Sequence, residues 1–152
     1  MTAADDRRFL SLALSLGRRG QGTTWPNPAV GCVIVRDGRI VGRGWTAPGG
    51  RPHAEPQALA QAGDLARGAT AYVSLEPCAH HGQTPPCADA LVAAGINRVV
   101  APIEDMDPRV SGEGFARLRA AGVEVTTGLL SDEAGRDHAG FFLSTELGRP
   151  FV

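Results

Sequence analysis

The sequence predicts an α/β fold with a mixed central sheet. Three observations carry this reading. An Asp-Gly turn at Asp37-Gly38 joins two apolar runs, the pattern of an antiparallel hairpin. From Ala69 onward, short apolar runs alternate with helix-like segments that end at glycines, as in strand–helix–strand units. The chain has 152 residues, 43% of them hydrophobic, which suffices for one domain with a real core.

The elements follow in order. Asp5 to Leu16 carries Phe9, Leu10, Leu12, Leu14 and Leu16 among small and polar residues, and reads as a helix ending near Gly17 and Gly20. Gly22 to Pro28 is a loop, with Asn27 bracketed by Pro26 and Pro28 in extended backbone. Val30 to Val35 is a buried strand, and Ile40 to Trp45 is the strand returning from the hairpin turn. Thr46 to Pro52 is a loop leading into a helix from about His53 to about Ala62. Pro56 is tolerated there because it lies in the first turn. Ala69 to Leu75 is a third strand, and the loop after it carries Cys78 and leads to Cys87. Cys87 to Ala94 is helical and stops at Gly95; Arg98 to Ala101 is a fourth strand. After a loop from Glu104 to Gly114, Phe115 to Ala121 is a helix stopped at Gly122, and Val123 to Thr126 is a fifth strand. Ser131-Asp132-Glu133 opens a last helix running to about Leu147. No internal repeat and no linker divides the chain, so residues 1–152 are read as one domain.

Charge and cysteine usage narrow the function classes. With 15 basic and 16 acidic residues, the chain has no broad electrostatic surface for nucleic acid. Every basic residue is Arg, so a lysine Schiff base is excluded. Three cysteines are too few for a disulfide scaffold and suit a reducing compartment. The N-terminus has no basic region followed by an apolar stretch, and no apolar run approaches a bilayer span. A cytoplasmic protein with no membrane partner is expected.

The chemistry concentrates in His53-Ala54-Glu55, Glu76-Pro77-Cys78 and Cys87. One His and two Cys can hold zinc with one position left open, and a Glu two residues after the His can move protons at that position. Zinc lowers the pKa of a bound water to about 7. Helix N-termini at His53 and Cys87 would stabilise the ligands, including thiolate. The competing reading is a structural zinc site, or a buried Cys pair beside a surface His. The Glu after the His and the Pro before the Cys favour catalysis.

Other residues carry weaker signals. Cys32, flanked by Val30, Val33, Ile34 and Val35, reads as a small apolar core residue. Asn27 reads as an amide held rigidly toward a ligand. Either His80 or His81 is expected to face the pocket. Glu76 either holds the loop by hydrogen bonds or touches a substrate amine. Trp25 and Trp45 read as core or rim packing, and His138 has no assigned role.

With these residues in place, the chain resembles the deaminase domain of the bifunctional riboflavin biosynthesis deaminase/reductase family. The resemblance rests on Thr24-Trp25-Pro26-Asn27-Pro28 with Val30-Gly31-Cys32-Val33-Ile34-Val35, on His53-Ala54-Glu55, and on Gly68 through Cys78. It continues through His80-His81-Gly82 and Thr84-Pro85-Pro86-Cys87-Ala88-Asp89 to Gly148-Arg149-Pro150-Phe151-Val152. Eight residues separate Cys78 from Cys87, where transfer-RNA adenosine and cytidine deaminases have two.

The resemblance implies a three-layer α/β/α cytidine deaminase-like fold around a five-stranded mixed sheet. It implies Zn2+ on His53, Cys78 and Cys87, with Glu55 as proton shuttle. The implied reaction is hydrolytic deamination of 2,5-diamino-6-(5-phosphoribosylamino)pyrimidin-4(3H)-one, releasing ammonia. Asn27, Thr46, Glu76, His80, Gln83 and Asp107 are the implied substrate contacts. A homodimer or larger homo-oligomer is expected, and neither a reductase domain nor a nicotinamide cofactor is.

Four positions depart from the family pattern. Thr46 replaces a His, Gln83 a Lys or Arg, Asp107 an Asn, and Glu113 a Lys. By the resemblance several of these face the ribose phosphate, so losing a cation and gaining acids weakens phosphate binding. Arg51 or Arg109 is the candidate to compensate. The alternative substrates are a related aminopyrimidine, a pterin or a purine-like ring. A further alternative is an idle zinc-binding assembly domain.

Overall fold

The structure is a computed structural model and describes residues 2–79 and 85–147. The elements in chain order are α1 (Ala3–Arg18), β1 (Gly31–Arg36), β2 (Arg39–Trp45), α2 (Ala54–Ala62), β3 (Thr70–Val73), α3 (Cys87–Ala93), β4 (Arg98–Val100), α4 (Glu113–Ala120), β5 (Glu124–Thr126) and α5 (Ser131–Leu147). Two short 3-10 turns, Pro48–Gly50 and Gly63–Ala66, add to the expected elements.

Local chemistry sets the ends. Thr2 caps α1 by accepting from the Asp5 N–H at 3.2 Å, while Asp5 Oδ2 accepts from the Thr2 N–H at 3.1 Å. That reciprocal pair satisfies two donors the helix itself cannot. The β1–β2 turn has φ of 51° at Asp37 and 77° at Gly38, the left-handed pair that a tight hairpin demands.

The sheet order is β2-β1-β3-β4-β5. β1 runs antiparallel to both β2 and β3, whereas β3, β4 and β5 are parallel. Alternation sorts the strand side chains into two cores. Cys32, Ile34, Ala71, Val73 and Val99 face a cluster completed by Ala54 and Ala58 of α2, Ala88 and Leu91 of α3, and Phe115 and Leu118 of α4. Val33, Val35, Tyr72 and Val100 face the opposite way, onto Phe9, Leu10, Ala13 and Leu16 of α1. Helices therefore cover both faces, giving three layers. Cys32 is fully buried in the first core, as an apolar filler should be.

The edge strand β2 is closed off by α2. Gln61 Oε1 accepts from the Arg43 N–H at 2.8 Å, and Gln57 Nε2 donates to the Trp45 carbonyl. A paired edge does not recruit another strand. The same Gln57 amide also donates to the Pro52 carbonyl at 3.1 Å, fixing the segment that enters α2. No helix among the described residues is long and apolar enough to cross a membrane.

Candidate metal centre

Three elements deliver the cluster. His53 is the N-cap of α2, with extended backbone and no side-chain capping bond, so its ring is available for other work. Cys78 lies in the segment that leaves the carboxyl end of β3, and Cys87 is the first residue of α3. Ligand sites in open α/β sheets form at that end of the strands.

His53 Nδ1 lies 3.4 Å from Cys87 Sγ. The Cys87 N–H donates to Cys78 Sγ at 3.2 Å, so the first free amide of a helix meets the sulfur. The imidazole nitrogen and both sulfurs lie within 4.8 Å of one another. One nitrogen and two sulfurs match the donors zinc prefers. Zn–S of about 2.3 Å and Zn–N of about 2.0 Å in a tetrahedron put neighbouring ligands about 3.6 Å apart. The cluster therefore fits zinc in both chemistry and size. Three ligands leave a fourth position open, the arrangement of a catalytic centre.

Electrostatics agree. A hydrogen bond from Cys87 holds the Cys78 thiol down to about 4, helped by His53 and the Cys87 amide. Sharing that proton, burial and the Glu55 charge together push Cys87 up. The bond with Cys78, with a further contribution from the Glu55 charge, raises His53. Glu55 lies one residue inside α2, is 4% exposed, and is pushed up to about 7 by burial and by the Cys78 charge. A metal-free site thus crowds acidic groups that a divalent cation would relieve.

The remaining expected contacts divide. Asn27 lines a small cleft of about 20 Å³ together with Trp25, Asp137, His138 and Phe141. Its Nδ2 donates to the Gly50 carbonyl at 2.9 Å, which ties the amide to the loop before α2. None of the three metal-type residues lines that cleft. Trp25 is 43% exposed and tilted against Phe141 at the rim, while Arg19 covers the Trp45 ring at 4.9 Å.

Two further residues are engaged by backbone. Thr46 is 1% exposed, and its hydroxyl accepts from the Val30 N–H at 3.0 Å and donates to the Pro28 carbonyl at 3.1 Å. A hydroxyl used on both sides by backbone clamps the loop. Glu76 accepts from three backbone N–H groups, those of Asp105, Gly112 and Phe115, the bonds its loop-holding reading calls for. Asp107 binds Arg109, with Arg109 Nη2 2.7 Å from Oδ2, so that guanidinium is already engaged by an acid. His80 and Gln83 lie outside the described residues.

His138, unassigned from sequence, is buried and donates through Nε2 to the Ser74 carbonyl at 3.0 Å, next to the segment leading to Cys78. Burial lowers its pKa, so it stays neutral. Its place on a long helix far along the chain gave no signal; only folding joins it to Ser74.

A mixed sheet between helices, with an open one-His, two-Cys centre and a buried Glu at the same helix start, defines a metal-dependent hydrolytic deaminase class. The comparisons agree. The profile of the cytidine and deoxycytidylate deaminase zinc-binding region matches residues 3–103. The riboflavin biosynthesis protein RibD of Escherichia coli (strain K12) is 53% identical over 147 residues, 97% of this chain but 40% of its own length. The diaminohydroxyphosphoribosylamino-pyrimidine deaminase of Buchnera aphidicola subsp. Acyrthosiphon pisum (strain APS) is 49% identical over 146 residues, covering 96% of this chain and 99% of its own. Among solved structures, Acinetobacter baumannii RibD (form 1) matches with a TM-score of 0.90 and 48% identity, over 95% of this chain and 41% of its own. The chain belongs to the cytidine and deoxycytidylate deaminase zinc-binding family and is kin to the Buchnera aphidicola deaminase along nearly its whole length, while it spans about two fifths of the RibD relatives it matches. Zinc is that family's metal.

Proposed function

We propose that this chain deaminates 2,5-diamino-6-(5-phosphoribosylamino)pyrimidin-4(3H)-one to 5-amino-6-(5-phosphoribosylamino)uracil and ammonia. The observation that carries the reading is the His53–Cys78–Cys87 cluster with Glu55 buried at the same helix start. The match to a deaminase of nearly this length supports the substrate class.

His53, Cys78 and Cys87 are the metal ligands in this reading. Zinc bound there acts as a Lewis acid that activates water toward the amino-bearing ring carbon. Glu55 takes a proton from the attacking water and passes it to the departing amine, so a C–O bond forms, a C–N bond breaks and ammonia leaves. Asn27, fixed by its bond to the Gly50 carbonyl, is the proposed contact that orients the ring. His80 remains a proposed substrate contact, and Gln83 and Asp107 remain proposed contacts on the side of the ribose phosphate. The described residues form one α/β unit, which we read as a single deaminase domain. The working compartment is reducing and cytoplasmic, because Cys78 and Cys87 bind metal only as thiolates. Self-association as a homodimer or larger homo-oligomer completes the reading.

A second reading, an unphosphorylated ring, is favoured by one observation: Arg109 is neutralised by Asp107. Ammonia release measured on the phosphoribosyl pyrimidine and on its dephosphorylated form separates the two. The proposal expects the phosphorylated compound to be the better substrate. Reaction of the dephosphorylated ring alone would overturn it.

A further inference from the structure

We infer that Glu76 is a positioning residue for the metal centre, one that anchors the Cys78 segment to the start of α4. The inference rests on the zinc-site reading above. It begins with a helix that lacks a cap of its own. The residue before α4 is Gly112, which has no side chain to satisfy the first amides. Those amides find Glu76 instead. Oε1 accepts from the Gly112 N–H at 3.0 Å and Oε2 from the Phe115 N–H at 3.1 Å. Oε1 also accepts from the Asp105 N–H at 2.8 Å, and the Glu76 N–H donates to the Ile103 carbonyl at 3.2 Å. A carboxylate at a helix N-terminus is further stabilised by the dipole.

The anchor reaches the metal site through a short, stiff link. Only Pro77, with its fixed φ, separates Glu76 from Cys78. Gly114 presses directly on that link: a Cβ built there would lie 1.9 Å from the Pro77 carbonyl oxygen. The α4 N-terminus and the Glu76-Pro77 backbone are thus locked on two sides. The Cys78 carbonyl in turn accepts from the Ala88 N–H at 3.0 Å, joining the same segment to α3 and Cys87. The bonds of the Glu76 carboxylate are all to backbone amides outside the cluster. Its effect is to hold one sulfur where the other two ligands can meet it.

The prediction concerns zinc affinity, read without any substrate. Glu76→Gln keeps the length of the side chain but turns an amide N–H toward backbone donors. Loss of such an outer support costs about 10- to 100-fold in metal affinity. Competition for zinc against a chromophoric chelator should show that loss for Glu76→Gln, and a larger one for Glu76→Ala. The control is Leu118→Ala, which opens a cavity in the buried half of the same helix. It should lower Tm at least as much as Glu76→Gln while leaving zinc affinity unchanged. Glu76→Gln with the affinity of the unsubstituted chain would overturn the inference. So would a Leu118→Ala chain that loses as much affinity, since the effect would then be general destabilisation. An unsubstituted chain that binds zinc but fails to deaminate the pyrimidine would sink the substrate reading alone.

Discussion

In the proposed reaction, Glu55 is the residue on which the chemistry turns. Its carboxyl is buried at the opening of α2, and burial raises its pKa to about 7 in the metal-free chain. A buried carboxyl beside the open metal position is placed to accept and return a proton there. Glu55→Gln preserves shape and removes the proton carrier. Zinc content by atomic spectroscopy should be unchanged, and ammonia release should fall roughly 10²- to 10⁴-fold. Near-normal turnover would remove Glu55 from the proton path. His53 and Glu55 were legible in the sequence because the helix start that presents both is a local feature, two residues long. For Glu76 the sequence left two readings open, because its partners lie 29, 36 and 39 residues away in a stretch that reads as loop. The backbone partners of Thr46 were hidden for the same reason. A position two strands from Pro28 in sequence terms becomes its hydrogen-bond partner only when β2 folds back beside β1.

Elements were easier to read than their attachments. The capped, apolar-striped α1 is plain from composition, yet Asp6 on its buried face is not an apolar residue. Folding explains it. Arg98 of β4 donates to both Asp6 oxygens at 2.9 and 2.8 Å, and the Tyr72 hydroxyl of β3 donates to Oδ1 at 2.7 Å. The network pins α1 across two strands of the sheet. Chiefly the Arg98 bonds hold the Asp6 carboxyl below the usual range, while burial and the same Asp6 bond push the Tyr72 phenol up. A carboxyl with a depressed folded pKa contributes stability that is fully present above its unfolded value, about 3.9, and is lost as pH falls through the folded value. Asp6→Asn should therefore cost about 2–3 kcal/mol at neutral pH by chemical denaturation, because it leaves Arg98 half-paired. The gap from the unsubstituted chain should begin to narrow below about pH 4, where Asp6 of the unfolded chain takes up a proton that the native carboxyl still refuses, and should close as pH falls through the lower folded value. A gap independent of pH would mean that packing, not the ion pair, is what the substitution removes.

At the scale of the whole molecule, the metal centre joins parts that the sheet alone leaves separate. The hairpin and the strand–helix alternation were legible, but the strand order β2-β1-β3-β4-β5 was not, since local patterns name strands and not their neighbours. That order brings the start of α2, the exit of β3 and the start of α3 to one place, with His53 and Cys87 34 residues apart in sequence. Without a metal this place crowds the buried Glu55 carboxyl against the Cys78 charge, which pushes Glu55 up. Zinc binds the folded arrangement and finds no such site in the unfolded chain, so its binding free energy adds to folding. Zinc at about a thousand times its Kd adds about 4 kcal/mol, which is about 10 °C in Tm for a chain of this size. Chelator-stripped protein should melt lower by that order in calorimetry and recover fully on adding zinc. Cys87→Ala, which removes one sulfur, should melt at the same temperature with or without zinc. A stripped chain that melts like the loaded one would show that the cluster does not carry the metal. A Cys87→Ala chain still responding to zinc would place the metal elsewhere.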